Sequence, residues 1–225
     1  MTFSDGDFVK IDYTAKRVSD DSVVYTTDEK AAKDAGIFNK DSRYAAQLVV
    51  VGKESVIKGV DKELRKMDVG ESKKIEVSPE EAFGERRDDL VTVMHLNDFR
   101  KRDINPEPGL QVDLDGVVAV VKSVNGGRVV VDANHPLAGE KLVYDVKIVE
   151  KVDGDDKRLG ALAEAYNLKP DSVSVSGGTA KVSFGDKTEK NADYFVNKSA
   201  FVRAAFQYLS NLEKITVDEG YAKSK

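Results

Sequence analysis

The sequence predicts an α+β fold made mainly of antiparallel strands, and three observations support this. Residues 1–84 alternate apolar and polar side chains around one short stretch of helical periodicity. Residues 85–139 combine valine-rich runs with glycine and proline turns, which is the pattern of short strands. After a polar break at 153–156, helical stretches alternate with strands. The chain of 225 residues is therefore expected to contain more than one domain.

The first elements are a pair of strands and a short helix. Residues 9–16 (VKIDYTAK) alternate at period two and predict a half-buried strand, and residues 21–27 predict its neighbour. Residues 28–36 predict a helix, because Asp28 is a suitable N-cap and Gly36 lies just past the last helical residue.

The central helix follows a buried strand at residues 47–51. Val60, Leu64 and Met67 recur at helical spacing. Gly70 then stands where a helix C-terminus favours a left-handed residue. The sequence thus predicts one amphipathic helix within a set of strands.

The next strands are separated by turn residues. A hairpin is predicted over 117–134, joined at Asn125-Gly126-Gly127, since these residues tolerate positive φ. The other strands are predicted at 71–77, 89–96, 109–116 and 140–152.

The C-terminal segment has its own pattern of elements. The polar stretch DGDD (153–156) is the predicted linker. About 70 residues follow it, which is enough for a small independent α+β domain. Its predicted elements are a helix at 157–168, a strand–turn–strand at 171–184, a helix at 191–209 and a strand at 211–217.

Composition excludes several classes of function. The chain has no cysteine and only two histidines, so disulfides, thiolate chemistry and a histidine-built metal site are not expected. The net charge of −5 lies in residues 1–151, because residues 152–225 carry 11 acidic and 11 basic residues. No basic face for nucleic acid, no membrane span and no signal peptide is recognisable. We expect a cytoplasmic protein without a metal or cofactor.

Three motifs that suggest chemistry fail on inspection. Gly52-Lys53 between a strand and a helix resembles a phosphate loop, but Glu54 follows the lysine and the second glycine is missing. His135 precedes Pro136 and lacks a nucleophile motif, so a structural turn is favoured. The acidic stretch 79–89 lacks the spacing of a calcium loop.

The stretch GKESVIKGVDKELRKMDVGESKKIEVSPEEAFG (52–84) resembles the central signature of FK506-binding-protein-type (FKBP-type) prolyl isomerases. That signature has a Val-Ile pair, a short helix, an M-x-V-G-E turn and a P-x-x-A-[YF]-G segment. Residues 142–150 resemble the last strand of the family, and residues 131–142 resemble the turn where an inserted flap rejoins the core in the SlyD-like branch. The C-terminal extension is similar to that of the long archaeal members.

This resemblance implies a domain organisation. The FKBP-like domain, an antiparallel sheet wrapped on a short helix, comprises residues 1–87 and 134–152. The inserted, mostly β flap comprises residues 88–133, and a small α+β domain comprises residues 153–225.

The resemblance also implies a function and a site. The function is peptidyl-prolyl cis-trans isomerisation (EC 5.2.1.8) with chaperone activity on unfolded or nascent proteins, without any titrating group. The backbone N–H of Ile57 would hold a substrate carbonyl, Val60 would form the pocket floor and Val56 part of the wall. The aromatic walls would be Tyr13, Tyr144 and Phe83.

Two departures from the family pattern leave an alternative open. Phe83 stands where the family usually has tyrosine, and Tyr25 stands where it has a pocket aspartate. A softer mismatch is Gln47, at a position that is commonly apolar. The alternative is a non-catalytic, peptide-binding chaperone whose isomerase pocket has decayed.

Two further partners are implied. The valine-rich flap resembles the region that binds extended segments in SlyD-like proteins, with filling of a small core as the simpler interpretation. In the last helix, Tyr194, Phe201 and Tyr208 form one apolar stripe and Phe195, Val202, Phe206 and Leu209 form another. Either the helix has a broad buried face or the second stripe mediates a homodimer, as the long archaeal relatives suggest.

Overall fold

The structure, a computed structural model, describes residues 3–186 and 188–222. It divides into two compact units. Unit 1 comprises the segments Met1–Val77 and Leu142–Lys225, and unit 2 comprises Ser78–Lys141. The predicted α+β class with mainly antiparallel sheets is confirmed.

Unit 1 begins with a five-stranded antiparallel sheet in the order β2-β1-β9-β4, with β3 also paired to β1. β1 pairs with β9 along its whole length, and its other edge is shared by β2 and β3. The elements of this part are β1 (Phe8–Arg17), β2 (Val23–Thr26), α1 (Glu29–Asp34), β3 (Gln47–Val50), α2 (Lys58–Leu64), β4 (Ser72–Val77) and β9 (Leu142–Val152).

The short helix α1 has the predicted caps. The side chain of Asp28 accepts a hydrogen bond from the Ala31 N–H at 2.7 Å, which satisfies one of the free donors of the first turn. Gly36 follows the helix with a φ of +71°.

The central helix α2 packs tightly against β4. A Cβ atom at Gly59 would lie 2.5 Å from a methyl group of Val77, so only glycine permits this approach. The prediction for the end of α2 was wrong, since the helix stops at Leu64 rather than near Gly70. Gly70 instead donates its N–H to the Ile148 carbonyl at 2.8 Å, so this residue turns the chain into the sheet.

A buried carboxylate fixes the turn before α2. Asp61 is 4% exposed, and both its oxygens accept the Gly52 N–H, at 2.9 and 3.1 Å. Arg65 lies 3.8 Å from the same carboxylate and also pairs with Asp5. Since an unpaired buried charge is costly, these contacts explain how an aspartate is tolerated on the inner face of a core helix.

The C-terminal segment of unit 1 forms a three-stranded sheet in the order β10-β11-β12, with β11 and β12 parallel. Its helices pack into one hydrophobic core with Phe8, Val50 and Val152 of the first sheet. The elements are α4 (Asp155–Ala165), β10 (Ser172–Ser176), β11 (Thr179–Phe184), α5 (Ala192–Tyr208) and β12 (Lys214–Glu219).

The second half of the predicted linker at 153–156 is helical. Helix α4 begins at Asp155, with Gly154 as its N-cap at a φ of +89°. The two aspartates in its first turn are stabilised by the positive end of the helix dipole. The polar residues that suggested a linker therefore form the start of a helix. The predicted boundary of a separate C-terminal domain stays a prediction.

Unit 2 contains a four-stranded antiparallel sheet in the order β5-β8-β7-β6. The predicted hairpin is confirmed, with Gly126 and Gly127 both at positive φ. The short helix α3 was not predicted; its Phe99 is fully buried in the core of this sheet. The elements are β5 (Val91–His95), α3 (Leu96–Arg100), β6 (Gln111–Leu114), β7 (Val117–Asn125) and β8 (Arg128–Asp132).

The end of β8 is held by a second buried carboxylate. Asp132 is 3% exposed, lies 2.6 Å from the Arg86 guanidinium and accepts two hydrogen bonds from Asn134. Burial alone would raise the pKa of Asp132, but the Asn134 hydrogen bonds and the Arg86 charge outweigh it and hold this pKa below its usual range.

Replacing Asp61 with alanine should destabilise unit 1. The substitution removes both acceptors of the Gly52 N–H, so we expect the free energy of unfolding to fall by about 1–3 kcal/mol. Urea denaturation followed by circular dichroism measures this. Asp61→Asn, which keeps one acceptor oxygen, is the matched control and should lose less. An alanine variant as stable as the parent would contradict this role.

Candidate functional site

Two tyrosines meet on one face of the first sheet. Ala15 of β1 lies opposite Tyr144 of β9, and Tyr13 lies two residues before Ala15, so the alternation of the strand puts both rings on one face. Their centroids are 5.7 Å apart, with the ring planes at 34°. The sequence prediction thus paired two residues that are 131 positions apart.

The two hydroxyl groups stay protonated. Burial is the main cause that raises the pKa of Tyr144, which is only 6% exposed, and the neighbouring Tyr13 and Tyr25 add to it. Burial also raises the pKa of Tyr13, again with a contribution from Tyr25. The pair therefore presents neutral rings and neutral hydroxyl groups to whatever lies beside it.

Helix α2 begins at the predicted Val56-Ile57 pair. Ile57 is the N-cap residue, and its carbonyl accepts the N–H groups of Val60 and Asp61, both at 3.0 Å. Among the residues that the structure describes, no hydrogen bond uses the Ile57 N–H. Ile57 is partly exposed, and its N–H is free of protein partners among these residues.

The helix and the tyrosine pair are connected through β4. Gly59 of α2 packs against Val77 of β4, and Ile75 of the same strand lies opposite Tyr144. Val60 is 1% exposed, so its side chain lies in the core beneath the helix. Unit 1 thus holds five of the six predicted site residues, namely Tyr13, Val56, Ile57, Val60 and Tyr144.

The sixth residue, Phe83, lies in unit 2. Its ring stacks on His135, with centroids 4.1 Å apart and planes at 3°. The Nδ1 atom of His135 accepts the Leu137 N–H at 3.1 Å, and burial lowers the pKa of this histidine. His135 therefore has the structural role in a turn that the sequence favoured.

The Gly52-Lys53 turn does not hold a free donor for phosphate. The Gly52 N–H is bound by Asp61, and the residue has a φ of +75°. A Cβ atom there would lie 2.4 Å from Asp5, so glycine is required. Two carboxylates beside this turn make it unsuitable for an anion.

Tyr25, one of the two departures from the family pattern, and Gln47, the softer mismatch, lie on strands that pair with β1. Tyr25 of β2 is opposite Ala15 and is 40% exposed. Gln47 is the first residue of β3, opposite Ile11. The family has an aspartate at the position of Tyr25. This chain has no carboxylate there, as the sequence indicated.

Two contributors to the site were not predicted. Asp61 was not predicted because it lies in a helix segment with several charged residues. Its position between the apolar residues Val60 and Leu64 is the signal that could have identified it as buried. Thr27 accepts the Tyr13 N–H at 3.0 Å through its hydroxyl, which in turn donates to Asp12 at 3.1 Å. Nothing in the local sequence identified that contact.

Within residues 3–186 and 188–222, no cluster of three or more histidine, aspartate or glutamate side chains could hold a metal ion. In the same ranges, none of the helices combines the length and apolarity needed to cross a bilayer.

Comparison with known proteins extends these observations. A family described as FKBP26, IF domain, matches residues 92–137. The short-type peptidyl-prolyl cis-trans isomerase of Methanocaldococcus jannaschii is 31% identical over 143 residues, which are 64% of this chain and 90% of that protein.

Bacterial relatives match a shorter stretch. The FKBP-type 16 kDa peptidyl-prolyl cis-trans isomerase of Escherichia coli K12 is 31% identical over 108 residues, 46% of this chain and 72% of that protein. The isomerase SlyD of Vibrio cholerae is 32% identical over 102 residues, 44% of this chain and 50% of that protein.

The tyrosine pair on the first sheet and the start of α2 at Ile57 together form the candidate site. With the relative from Methanocaldococcus matched over nine-tenths of its length, the chain belongs to the family of FKBP-type peptidyl-prolyl cis-trans isomerases. The family membership and enzyme class expected from the sequence are confirmed.

Proposed function

We propose that this chain isomerises X-Pro bonds in unfolded or nascent cytoplasmic polypeptides, and that unit 2 acts as a chaperone which retains them. The observation that carries the isomerase proposal is the combination of the Tyr13–Tyr144 pair with the unpaired Ile57 N–H at the start of α2.

The chemistry suits such a site. The barrier to rotation about the X-Pro amide is about 18–20 kcal/mol because the C–N bond has partial double-bond character. A twisted amide is less polar than a planar one, so an apolar pocket favours it relative to water. The Ile57 N–H holds a substrate carbonyl, and Val56, Tyr13 and Tyr144 surround the proline ring. Val60, which is buried beneath the helix, supports the floor of the pocket.

The alternative is a chaperone without isomerase activity, and Tyr25 and Phe83 favour it. Both stand where the family has a group that can hydrogen-bond the substrate. A neutral hydrogen bond contributes about 0.5–1.5 kcal/mol, which is a factor of roughly two to ten in rate, so the loss of these groups weakens the proposed activity without abolishing it.

Phe83→Tyr should maintain or raise X-Pro turnover, by up to about tenfold if the new hydroxyl reaches the substrate. Exchange NMR on a short proline peptide measures the rate. Phe83→Leu, which removes the aromatic ring, is the comparison variant and should turn over more slowly than the parent. A large fall for Phe83→Tyr would show that Phe83 is not in the pocket. Absence of turnover in the parent would leave the non-catalytic chaperone.

The chaperone proposal rests on the exposed apolar side chains of unit 2. Val93 of β5 and Val117 and Val118 of β7 are 60%, 54% and 52% exposed, and β5 and β6 are the edges of their sheet. An edge strand with apolar neighbours can add an extended peptide by backbone pairing.

Replacing residues 88–133 with a short loop should separate the two activities. We expect turnover of a small peptide to remain measurable, while acceleration of a proline-limited refolding reaction is lost. The surface variants Val93→Ser and Val118→Ser, which keep the fold, should reduce refolding catalysis in the same direction. Unchanged refolding catalysis in the loop variant would reject the chaperone role.

We also propose that α5 mediates a homodimer. Tyr194 and Phe201 of the first stripe are buried, whereas Phe195 and Phe206 of the second are 44% and 45% exposed, with Val196 67% exposed beside them. Leu209 of the second stripe is buried and Val202 packs against the same core, so only Phe195 and Phe206 of this stripe are exposed. Exposed aromatic side chains of this kind are suited to contact with a second copy.

Light scattering of the full chain tests the dimer. The parent should scatter as a dimer, and the double variant Phe195→Glu, Phe206→Glu as a monomer, because buried carboxylates oppose association. Val18→Glu changes an equally exposed apolar residue outside α5 and should leave the mass unchanged. Truncation at 154 is a poorer test because it would uncover Phe8. A monomeric parent would contradict the proposal.

A further inference from the structure

Strand β3 leaves one backbone edge unpaired. Residues Gln47 to Val50 pair only with Phe8 to Ile11 of β1. Since residues of an antiparallel strand direct their N–H and C=O groups alternately towards and away from a given neighbour, every second residue of β3 points away from β1.

The register identifies which residues these are. The Val51 N–H donates to the Asp7 carbonyl at 2.9 Å, so Val49 and Gln47 also face β1, and Val50 and Leu48 face outward. The outward groups of Val50 are used, because its N–H donates to the Ser55 hydroxyl and its carbonyl accepts from that hydroxyl and from the Lys53 N–H.

Leu48 has no such partners. Among the described residues, no hydrogen bond satisfies its outward N–H and C=O groups. Its side chain nevertheless packs against the core formed with the C-terminal helices. Leu48 therefore combines a fixed side chain with a free donor and a free acceptor.

This edge forms one wall of a groove of about 610 Å³ within unit 1. The opposite wall is the C-terminal end of α4, with Ala165 and Tyr166. Ala45 and Ala46, just before β3, also line the groove, and their small side chains leave the backbone edge accessible. The Arg43 guanidinium donates to the Glu164 carbonyl at 2.9 Å, which ties the loop before β3 to α4.

The groove reaches Tyr13, which also belongs to the tyrosine pair. Gln47 is opposite Ile11, two residues from Tyr13 along β1, or roughly 7 Å at the rise of a strand. When the proline of a substrate polypeptide lies beside Tyr13, the substrate residues a few positions from that proline are therefore within reach of the β3 edge.

We propose that an extended segment of the polypeptide substrate, a few residues from the proline, binds in this groove by pairing its backbone with Leu48. The proposal rests on the proposed isomerase function and adds a subsite to which the C-terminal segment contributes. The ligand class follows from the groups present, because a free strand edge is complementary to an extended peptide backbone. The alanines next to the edge favour loose selectivity for side chains.

The test compares peptides that share one X-Pro core. One peptide is short, and the others are extended by five residues on either side. The extension that enters the groove should raise kcat/KM at least about fivefold, as expected for one or two added backbone hydrogen bonds. N-methylation of that extension removes its donors and should return the ratio of long to short peptide towards one.

Two tryptophan variants probe the groove directly. Ala165→Trp fills the groove and should bring the long-to-short ratio of kcat/KM towards one. This variant should also weaken binding of the fluorescein-labelled long peptide by a similar factor. Ala192→Trp changes an exposed alanine at the start of α5, outside the groove, and should keep both values.

The outcomes are separable. The groove proposal is overturned if the long-to-short ratio of kcat/KM is near one in the parent. It is also overturned if that ratio is unchanged by both N-methylation and Ala165→Trp. In either case, turnover of the short peptide still supports the isomerase function. Loss of turnover on every peptide rejects the isomerase function. Anisotropy of the long peptide then decides the groove alone, by whether Ala165→Trp weakens binding and Ala192→Trp does not.

Discussion

The structure of unit 1 depends on the pairing of β1. This strand is hydrogen-bonded to β9 along one edge and to both β2 and β3 along the other. Its consecutive residues Phe8 and Val9 are both fully buried, so both faces of the strand are covered. Phe8 joins the core with the C-terminal helices. The face that carries Tyr13 holds the tyrosine pair. One strand thereby serves the site and the attachment of the C-terminal segment at once.

The second edge of β1 is divided between two strands beside the candidate site. β2 ends opposite Thr14 and β3 begins opposite Ile11, so neither strand covers the backbone at Tyr13. A threonine hydroxyl accepts the Tyr13 N–H in place of a strand carbonyl. The residues between the two strands, 27–46, are therefore free to form a helix and a loop beside the site.

In the proposed function the site works through shape and dryness rather than through charge. Burial raises the pKa of Tyr144 further above neutral pH, and the proposed donor is a backbone N–H at a helix start. The carboxylates nearby have structural tasks, as Asp61 shows with the Gly52 turn. Charged groups near the start of α2 thus fix the backbone that presents the proposed donor. This arrangement fits a reaction whose transition state is less polar than its ground state.

The sequence by itself determined the α+β class, nearly all strands and the family, because period-two alternation and the 52–84 motif are local signals. It also singled out Tyr13 and Tyr144, whose rings the sheet brings to 5.7 Å from each other. Only the tertiary structure decided where α2 ends, because the Gly70 N–H donates to the Ile148 carbonyl of the distant strand β9. The same holds for the start of α4 inside the predicted linker, and for the core that α4 and α5 share with Phe8. These features depend on contacts between residues far apart in the chain, and no local pattern records which partner a buried side chain or a free strand edge will meet.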